Sequence, residues 1–356
     1  MTVKRLELHK FSVFQKAEMD FSPGINVFIG ANGTGKSHLL KLLYCLLKTA
    51  ENAHRDRTSD EKHVTAKLRE KLGRVFRPDE LNVGRLVRRT RGRISTRAWI
   101  DTDGGEIGFT LWNRGDLSLH PSSQISIPGA SLFIPSREVL SIYEGFIQAY
   151  EKRELAFDET VYDLCVALAG SPLRETFARE VTGLAKPLED MLGGHVVLKG
   201  NRFYRKTKDG LLEAHLLAEG LRKVASLLHL VQTGSLSPGG ALFWDEPEAN
   251  LNPRLIAEFA TLVQEIAAAG IQVFLATHDF LLSQSLSLAA EYPHTMKAPL
   301  RFFALSLSKA GAARVTVGDN LVELEPNPIL EEFAAHYDRE QRLFAQSHHQ
   351  AKKARS

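Results

Sequence analysis

Positions 30 to 37 read Gly30, Ala31, Asn32, Gly33, Thr34, Gly35, Lys36 and Ser37, which satisfies the full spacing of a phosphate-binding loop. Glycines at these places let backbone N–H groups curl around phosphate oxygens, Lys36 supplies a counter-charge, and the Ser37 hydroxyl is suited to ligate a magnesium ion. A second element, Ala241-Leu242-Phe243-Trp244-Asp245-Glu246-Pro247, is an apolar run ending in two carboxylates. Consecutive side chains on a strand point opposite ways, so the two acids take different tasks: Asp245 for the metal, Glu246 for polarising an attacking water. A third, Val273-Phe274-Leu275-Ala276-Thr277-His278-Asp279, puts His278 directly after another buried run. Ligands of open parallel sheets bind outside the carboxyl ends of the strands, so Lys36, Glu246 and His278 are expected on one rim, with His278 at the γ-phosphate.

The elements that must position these groups are legible in the surrounding pattern. Strand-like runs cover Val3 to Leu8 and Ile25 to Ile29, the second entering the glycine loop after Pro23-Gly24. Leu39, Leu40, Leu43, Leu46 and Leu47 recur at helical spacing, predicting a helix from Ser37 to near Ala50. Polar residues 51 to 63 read as a loop, followed by a helix with Val64, Leu68 and Leu72 on one face. The runs Arg85 to Thr90, Arg93 to Asp101, Glu106 to Trp112 and Ser131 to Ile134 suggest an antiparallel meander. Residues 138 to 191 read as helices, with Val139, Ile142, Tyr143, Phe146, Ile147 and Tyr150 on one stripe and a break at Gly170-Ser171-Pro172. A hairpin is expected over Val196 to Tyr204. From 216 onward helices alternate with buried strands, which means a parallel sheet covered on both faces. A last amphipathic helix carries Ile329, Phe333, His336 and Tyr337 before the basic run Lys352-Lys353-Ala354-Arg355, which reads as a disordered tail.

Composition narrows the class. The chain has 356 residues, 44% of them of the AVILMFWYC type and 24% charged, which excludes collagen-like, low-complexity and wholly disordered proteins. Forty-five Lys plus Arg against 42 Asp plus Glu leave a net charge of +3, so any polyanion-binding surface must be local. Two cysteines, Cys45 and Cys165, sit in apolar surroundings, which excludes a disulfide framework or a cysteine zinc site and suggests buried thiols in a reducing compartment. The N-terminus lacks the apolar core of a signal peptide, and no apolar run approaches the roughly 20 residues of a membrane span. A soluble cytoplasmic protein with no membrane contact is expected.

With these motifs together, residues 1 to about 320 resemble an ATP-binding-cassette-type ATPase head of the SMC/RecF/OLD-like class, the "AAA family ATPase" proteins of bacterial genome maintenance and anti-phage defence. The resemblance implies an α/β ABC-ATPase head, a mainly parallel sheet core with an antiparallel β meander and a helical insertion, using ATP and Mg²⁺. Glu246-Pro247-Glu248-Ala249-Asn250-Leu251-Asn252-Pro253 resembles the catalytic glutamate and D-loop, His278 the switch histidine, and Leu217-Ala218-Glu219-Gly220-Leu221-Arg222-Lys223 the signature turn. Two departures stand out. Ala218 replaces the signature serine and Asn252 the D-loop aspartate, so a serine hydroxyl bond to the γ-phosphate is missing, while Gly220 and the helix N-terminus still offer backbone donors. No Q-loop glutamine is evident; Ile134-Pro135-Ser136-Arg137-Glu138 occupies its place, where Arg137 is either a nucleotide sensor or a surface ion pair.

The layout expected is a nucleotide-binding lobe over 1–50, a linker, helix and meander over 51–135, a helical insertion and hairpin over 136–215, a second lobe over 216–325, and a C-terminal helix and tail over 326–356. The resemblance implies a homodimer through a nucleotide sandwich, and a separately encoded effector such as a nuclease, contacting either the helices Val139 to Met191 or the helix Ile329 to Phe344. The alternative is that both apolar stripes pack on the head itself. Arg85, Arg88, Arg89, Arg91, Arg93 and Arg97 form a cluster with no acid among them, suited to DNA or RNA phosphates or, equally, to an acidic partner or open solvent. His348-His349 has no metal-ligand company. The leading function is ATP hydrolysis as a switch in a defence or DNA-repair complex; rivals are a stand-alone RecF-like DNA-binding ATPase, a non-catalytic ATP-binding scaffold and the ATPase subunit of a membrane transporter.

Overall fold

The computed structural model describes residues 2–58, 60–89, 92–123, 130–171, 175–292 and 294–353. Its strands are β1 (Val3–Phe11), β2 (Phe14–Asp20), β3 (Ile25–Gly30), β4 (Ser95–Thr102), β5 (Gly105–Trp112), β6 (Leu117–Leu119), β7 (Ser131–Ile134), β8 (His195–Lys199), β9 (Arg202–Thr207), β10 (Gly210–Glu213), β11 (Ala241–Asp245), β12 (Gln272–Thr277), β13 (Leu300–Leu307) and β14 (Ala313–Gly318). Its helices are α1 (Lys36–Arg55), α2 (Glu61–Phe76), α3 (Phe146–Glu151), α4 (Glu159–Leu168), α5 (Glu175–Leu192), α6 (Glu219–Gln232), α7 (Pro253–Ala268), α8 (Phe280–Glu291) and α9 (Pro328–Lys353).

One eleven-stranded sheet runs in the order β6-β5-β4-β1-β2-β14-β13-β3-β12-β11-β7. From β13 to β7 every neighbouring pair is parallel. The β6 to β2 half is antiparallel throughout, so the parallel core and the meander of the sequence reading share one sheet.

The parallel strands are apolar on both faces, and their alternation sorts two cores. Ile25, Val27, Leu242, Trp244, Val273 and Leu275 belong to the core shared with α6 and α7. Phe28, Ala241, Phe243, Phe274 and Ala276 face the other way, into the core built on α1 and α2. That alternation decides the site, because Asp245 continues the Ala241, Phe243 face and therefore points toward α1.

Several expectations are corrected. Residues 51 to 55 continue α1 because Ala53 is still buried and Glu51 is tied both to Lys48 Nζ at 2.7 Å and to the Ser131 N–H at 2.8 Å. Arg85 to Arg89 form no strand, and Thr90 lies outside the described residues. Val83–Leu86 is a tight 3₁₀ turn and Val87 makes one bridge to Phe11, because β1 already has β2 and β4 on its two edges. Ser131 to Ile134 leaves the meander and pairs in parallel with β11. The stretch before Gly145 is turns rather than helix, yet Val139, Tyr143 and Phe146 are buried as the stripe required. The hairpin gains a third strand, β10.

Lys352 and Lys353 end α9 instead of starting a tail, while Ala354 and Arg355 lie outside the described residues, as does Pro172. Among the described residues of the helical insertion, Val161, Leu164, Leu168, Leu184, Leu188 and Leu192 pack into the head's own core. The stripe of α9 divides: Ile329 is buried and the Phe333 ring packs 4.1 Å from that of Phe280, while Tyr337 is exposed. Both cysteines are buried free thiols, and burial pushes the Cys165 thiol up to about 12. Among the described residues, no helix is long and apolar enough to cross a membrane.

Candidate nucleotide site

The loop after β3 turns into α1 through Gly35, whose φ of 99° is a left-handed conformation that side-chain-bearing residues avoid. A Cβ there would also lie 2.7 Å from the side chains of Val13 and Phe14, so the turn between β1 and β2 clamps the loop from outside. Lys36 is only 6% exposed, and its Nζ donates to the Gly30 carbonyl at 2.7 Å and to the Ala31 carbonyl at 3.1 Å. Burial lowers its pKa, against the pull of Glu246, Asp245 and Glu248. Thr34 is buried and its hydroxyl donates to the Ala31 carbonyl at 2.8 Å. Ala31, Asn32 and Gly33 are exposed, and a Cβ on Gly33 would meet nothing within 4 Å, so the mouth of the loop is open.

Across the sheet, the Ser37 hydroxyl donates to Asp245 Oδ1 at 3.0 Å. Burial raises the Asp245 pKa; the Ser37 bond opposes this and the Glu246 charge adds to it. Glu246 begins the loop after β11 with a φ of 49°, an unusual conformation for a glutamate, held by its N–H donating to the Ala276 carbonyl at 2.8 Å. Its Oε1 lies 3.2 Å from Nδ1 of His278, which follows β12 and is exposed. The carboxyl ends of β3, β12 and β11, three neighbours in the sheet, thus bring Lys36, Ser37, Asp245, Glu246 and His278 to one rim, as expected.

The signature-like turn sits against the D-loop. Gly220 is buried where a Cβ would be 2.7 Å from the Asn250 carbonyl oxygen, so a close backbone approach requires glycine. Ala218 is exposed at the N-cap of α6 and makes no cap bond. Asn252 accepts from the Leu255 N–H at 3.0 Å and caps α7, which an aspartate would also do.

Two residues here were not singled out for chemistry by their sequence positions. Lys223, 4% exposed, donates to the Ala249 carbonyl at 2.9 Å and joins α6 to the D-loop. Buried Glu248 accepts from Thr277 Oγ1 at 2.6 Å, while its other oxygen has no partner, and burial raises its pKa. The acidic run Asp245-Glu246-Pro247-Glu248 was the available signal, but only the fold shows that its third acid turns inward.

In the Q-loop position, Arg137 is exposed while Glu138 is buried and ion-paired with Arg222 of α6 at 3.0 Å. The arginine cluster divides. Arg88 donates to the Val13 carbonyl at 2.6 Å and the Gly311 carbonyl at 3.2 Å, so it ties the segment after Val87 to the turn between β1 and β2 and to the loop before β14. Arg85 lies 3.6 Å from Asp79; Arg89, Arg93 and Arg97 are exposed, and Arg91 lies outside the described residues.

The donor set fits a magnesium nucleotide: a hydroxyl and a carboxylate, both hard oxygen ligands, beside a buried lysine and an open glycine loop. A family profile described as "AAA domain, putative AbiEii toxin, Type IV TA system" matches residues 25–283. The chain is 33% identical over 94 residues to the DNA replication and repair protein RecF of Streptococcus suis, covering 26% of this chain and 22% of that protein. It is 32% identical over 107 residues to RecF of Limosilactobacillus fermentum, covering 30% of this chain and 25% of that protein. It therefore spans about a quarter of the length of these curated relatives.

A solved Smc head bound to the C-terminal winged-helix domain of ScpA superposes with a TM-score of 0.54 at 14% identity, over 89% of this chain and 98% of that one. An Smc head with an extended coiled coil bound to the C-terminal domain of ScpA, derived from Pyrococcus furiosus, gives 0.51 at 12% identity, over 96% and 99%. These likenesses concern the fold. The chain belongs to the AAA-domain family whose profile spans the loop, both carboxylates and the histidine.

Proposed function

We propose that the chain binds ATP with Mg²⁺ at the Gly30–Ser37 loop and hydrolyses it to switch between open and closed dimers. The hydrogen bond between Ser37 and Asp245 carries this reading, because it joins the two halves of a metal-binding pair that lie 208 positions apart in the chain. A magnesium ion held by these two oxygens would neutralise charge on the β and γ phosphates. Lys36 exchanges its loop carbonyls for phosphate oxygens, which offsets the cost of keeping its ammonium buried. Glu246 accepts the proton of the attacking water, and His278, in contact with its carboxylate, orients that carboxylate toward the γ-phosphate. In a sandwich of two heads, backbone N–H groups in the first turn of α6, from Ala218 to Gly220, face the other head's nucleotide.

The biological reading is an ATPase subunit of a bacterial anti-phage defence or DNA-repair complex, with a separate effector such as a nuclease that responds to the closed state. The toxin-system description of the family supports the first setting. The RecF relatives, with exposed Arg89, Arg93 and Arg97, support a second reading, a stand-alone DNA-binding repair ATPase. Steady-state phosphate release with magnesium and with a chelator tests the chemistry: magnesium-dependent turnover is expected, and binding without turnover would leave a scaffold. Titration with duplex DNA separates the two settings.

A further inference from the structure

The φ of 49° at Glu246 is one that a residue with a side chain keeps only where its neighbours hold it, and Asn250, just beyond the same turn, has a φ of 65°. The backbone of Glu246 is gripped from two sides. Its N–H donates to the Ala276 carbonyl of β12 at 2.8 Å, and its carbonyl accepts from the Ala249 N–H at 3.2 Å and from Lys223 Nζ of α6 at 3.4 Å. The same ammonium donates to the Ala249 carbonyl at 2.9 Å, so one side chain holds both ends of the turn from Glu246 to Ala249. On its β12 side the turn is fastened by Glu248, whose Oε1 accepts from the Thr277 hydroxyl at 2.6 Å, next to His278.

Packing gives no reason for a lysine at this place. Lys223 is 4% exposed and shares a narrow gap with Val224, Leu227, Trp244, Pro247 and Leu251. Burial lowers its pKa against the pull of Glu248, Glu219, Glu246 and Glu138. A methionine would fill about the same length with no charge to bury. What the ammonium adds is a set of donors aimed at two carbonyls. The direction of the Glu246 side chain follows from that backbone, because rotating the turn swings the carboxylate away from His278 Nδ1, now 3.2 Å from its Oε1.

We infer that Lys223 is a positioning residue, which aims the Glu246 carboxylate by holding the turn from Glu246 to Ala249 and acts through Glu246 rather than on the nucleotide. The inference rests on Glu246 as the base proposed above. In the full chain with saturating ATP and magnesium, Lys223→Met should lower kcat about 10- to 100-fold, the scale of a small misplacement of a reacting group. ATP affinity in an equilibrium titration should stay within about twofold, and the melting temperature should not fall. Lys223→Gln, which keeps an N–H donor without the charge, should turn over at a rate between those of Lys223→Met and the parent chain.

A residue that acts through Glu246 has nothing further to lose once that base is gone. In single turnovers, Glu246→Gln combined with Lys223→Met should therefore hydrolyse ATP no more slowly than Glu246→Gln alone. Parent-like kcat for both Lys223 variants beside a slow Glu246→Gln would overturn the inference and leave the base assigned. A further loss of about tenfold in the double variant, or a fall in ATP affinity or melting temperature that matches the loss of turnover, would overturn it in favour of a role in nucleotide contacts or in folding alone. Parent-like turnover by Glu246→Gln would instead remove the base assignment, and this inference with it.

Discussion

Ser37 and Asp245, 208 positions apart, are joined by a 3.0 Å hydrogen bond across the rim of the parallel sheet. The bond exists because α1 covers the face of β11 to which Ala241, Phe243 and Asp245 all point. Both oxygens are hard donors, and Asp245 is held in surroundings that raise its pKa, so the fold stores an unfavourable carboxylate where a cation would relieve it.

Replacing Asp245 with Asn should therefore stabilise the nucleotide-free protein while removing magnesium-dependent nucleotide binding. The native carboxyl holds its proton to higher pH than the unfolded one, so stability is lost as pH rises from the unfolded value through the native one. At neutral pH the variant should melt about 2 °C above wild type and show a flatter stability profile at acidic pH. A lower melting point and an unchanged profile would show that Asp245 is not a buried destabilising charge.

Lys36→Ala removes the charge closest to the phosphates, whose ammonium the loop already holds by two carbonyl bonds. Nucleotide affinity should fall about 100-fold or more in an equilibrium titration. Equal affinity in the variant would remove the loop from the binding site.

Glu246→Gln keeps the shape beside His278 but cannot take a proton from water. Turnover should drop by about 10² to 10⁴ with ATP binding retained, and the closed dimer should accumulate with ATP. Wild-type phosphate release from this variant would place the base elsewhere.

Gly220→Ala forces a Cβ to within 2.7 Å of the Asn250 carbonyl oxygen, and the backbone there has little room to yield. A loss of about 1–3 kcal/mol in chemical denaturation is expected, together with slower turnover as the D-loop is displaced. The contrast is Gly33→Ala, where φ is 80° but the space is open, so only about 1 kcal/mol of backbone strain applies. Similar costs at both positions would argue against the close approach of α6 to the D-loop.

For the arginines, Arg89, Arg93 and Arg97 are the ones to reverse. If nucleic acid is bound there, changing all three to Glu should weaken it and reduce the salt dependence by about one unit of slope per lost phosphate contact. Arg88→Ala should instead lower stability, since its guanidinium bonds to the Val13 and Gly311 carbonyls. A salt slope unaltered by the triple change would assign the patch to a protein partner or to solvent.

The local pattern of the chain already determined much of this protein. A glycine-rich run between an apolar strand and an amphipathic helix admits few structures, and two further apolar strands ending in Asp245-Glu246 and in His278 supply the remaining rim groups. These features are short-range, so spacing alone exposes them. Tertiary structure decided the rest, wherever the deciding partner lies far off in sequence. Arg85 to Thr90 has strand-like residues, but both edges of β1 are taken, so its start at Arg85 and Leu86 closes a 3₁₀ turn instead. Ser131 to Ile134 finds its partner in β11, more than a hundred residues later. The insertion and α9 carry similar apolar stripes, and periodicity cannot tell which is covered; only packing shows that the first fills the core while the second buries Ile329, seats Phe333 on Phe280 and leaves Tyr337 exposed. Glu248 and Lys223 look like surface charges in the sequence, yet the D-loop folds over both because Thr277 and the Ala249 carbonyl are there to meet them.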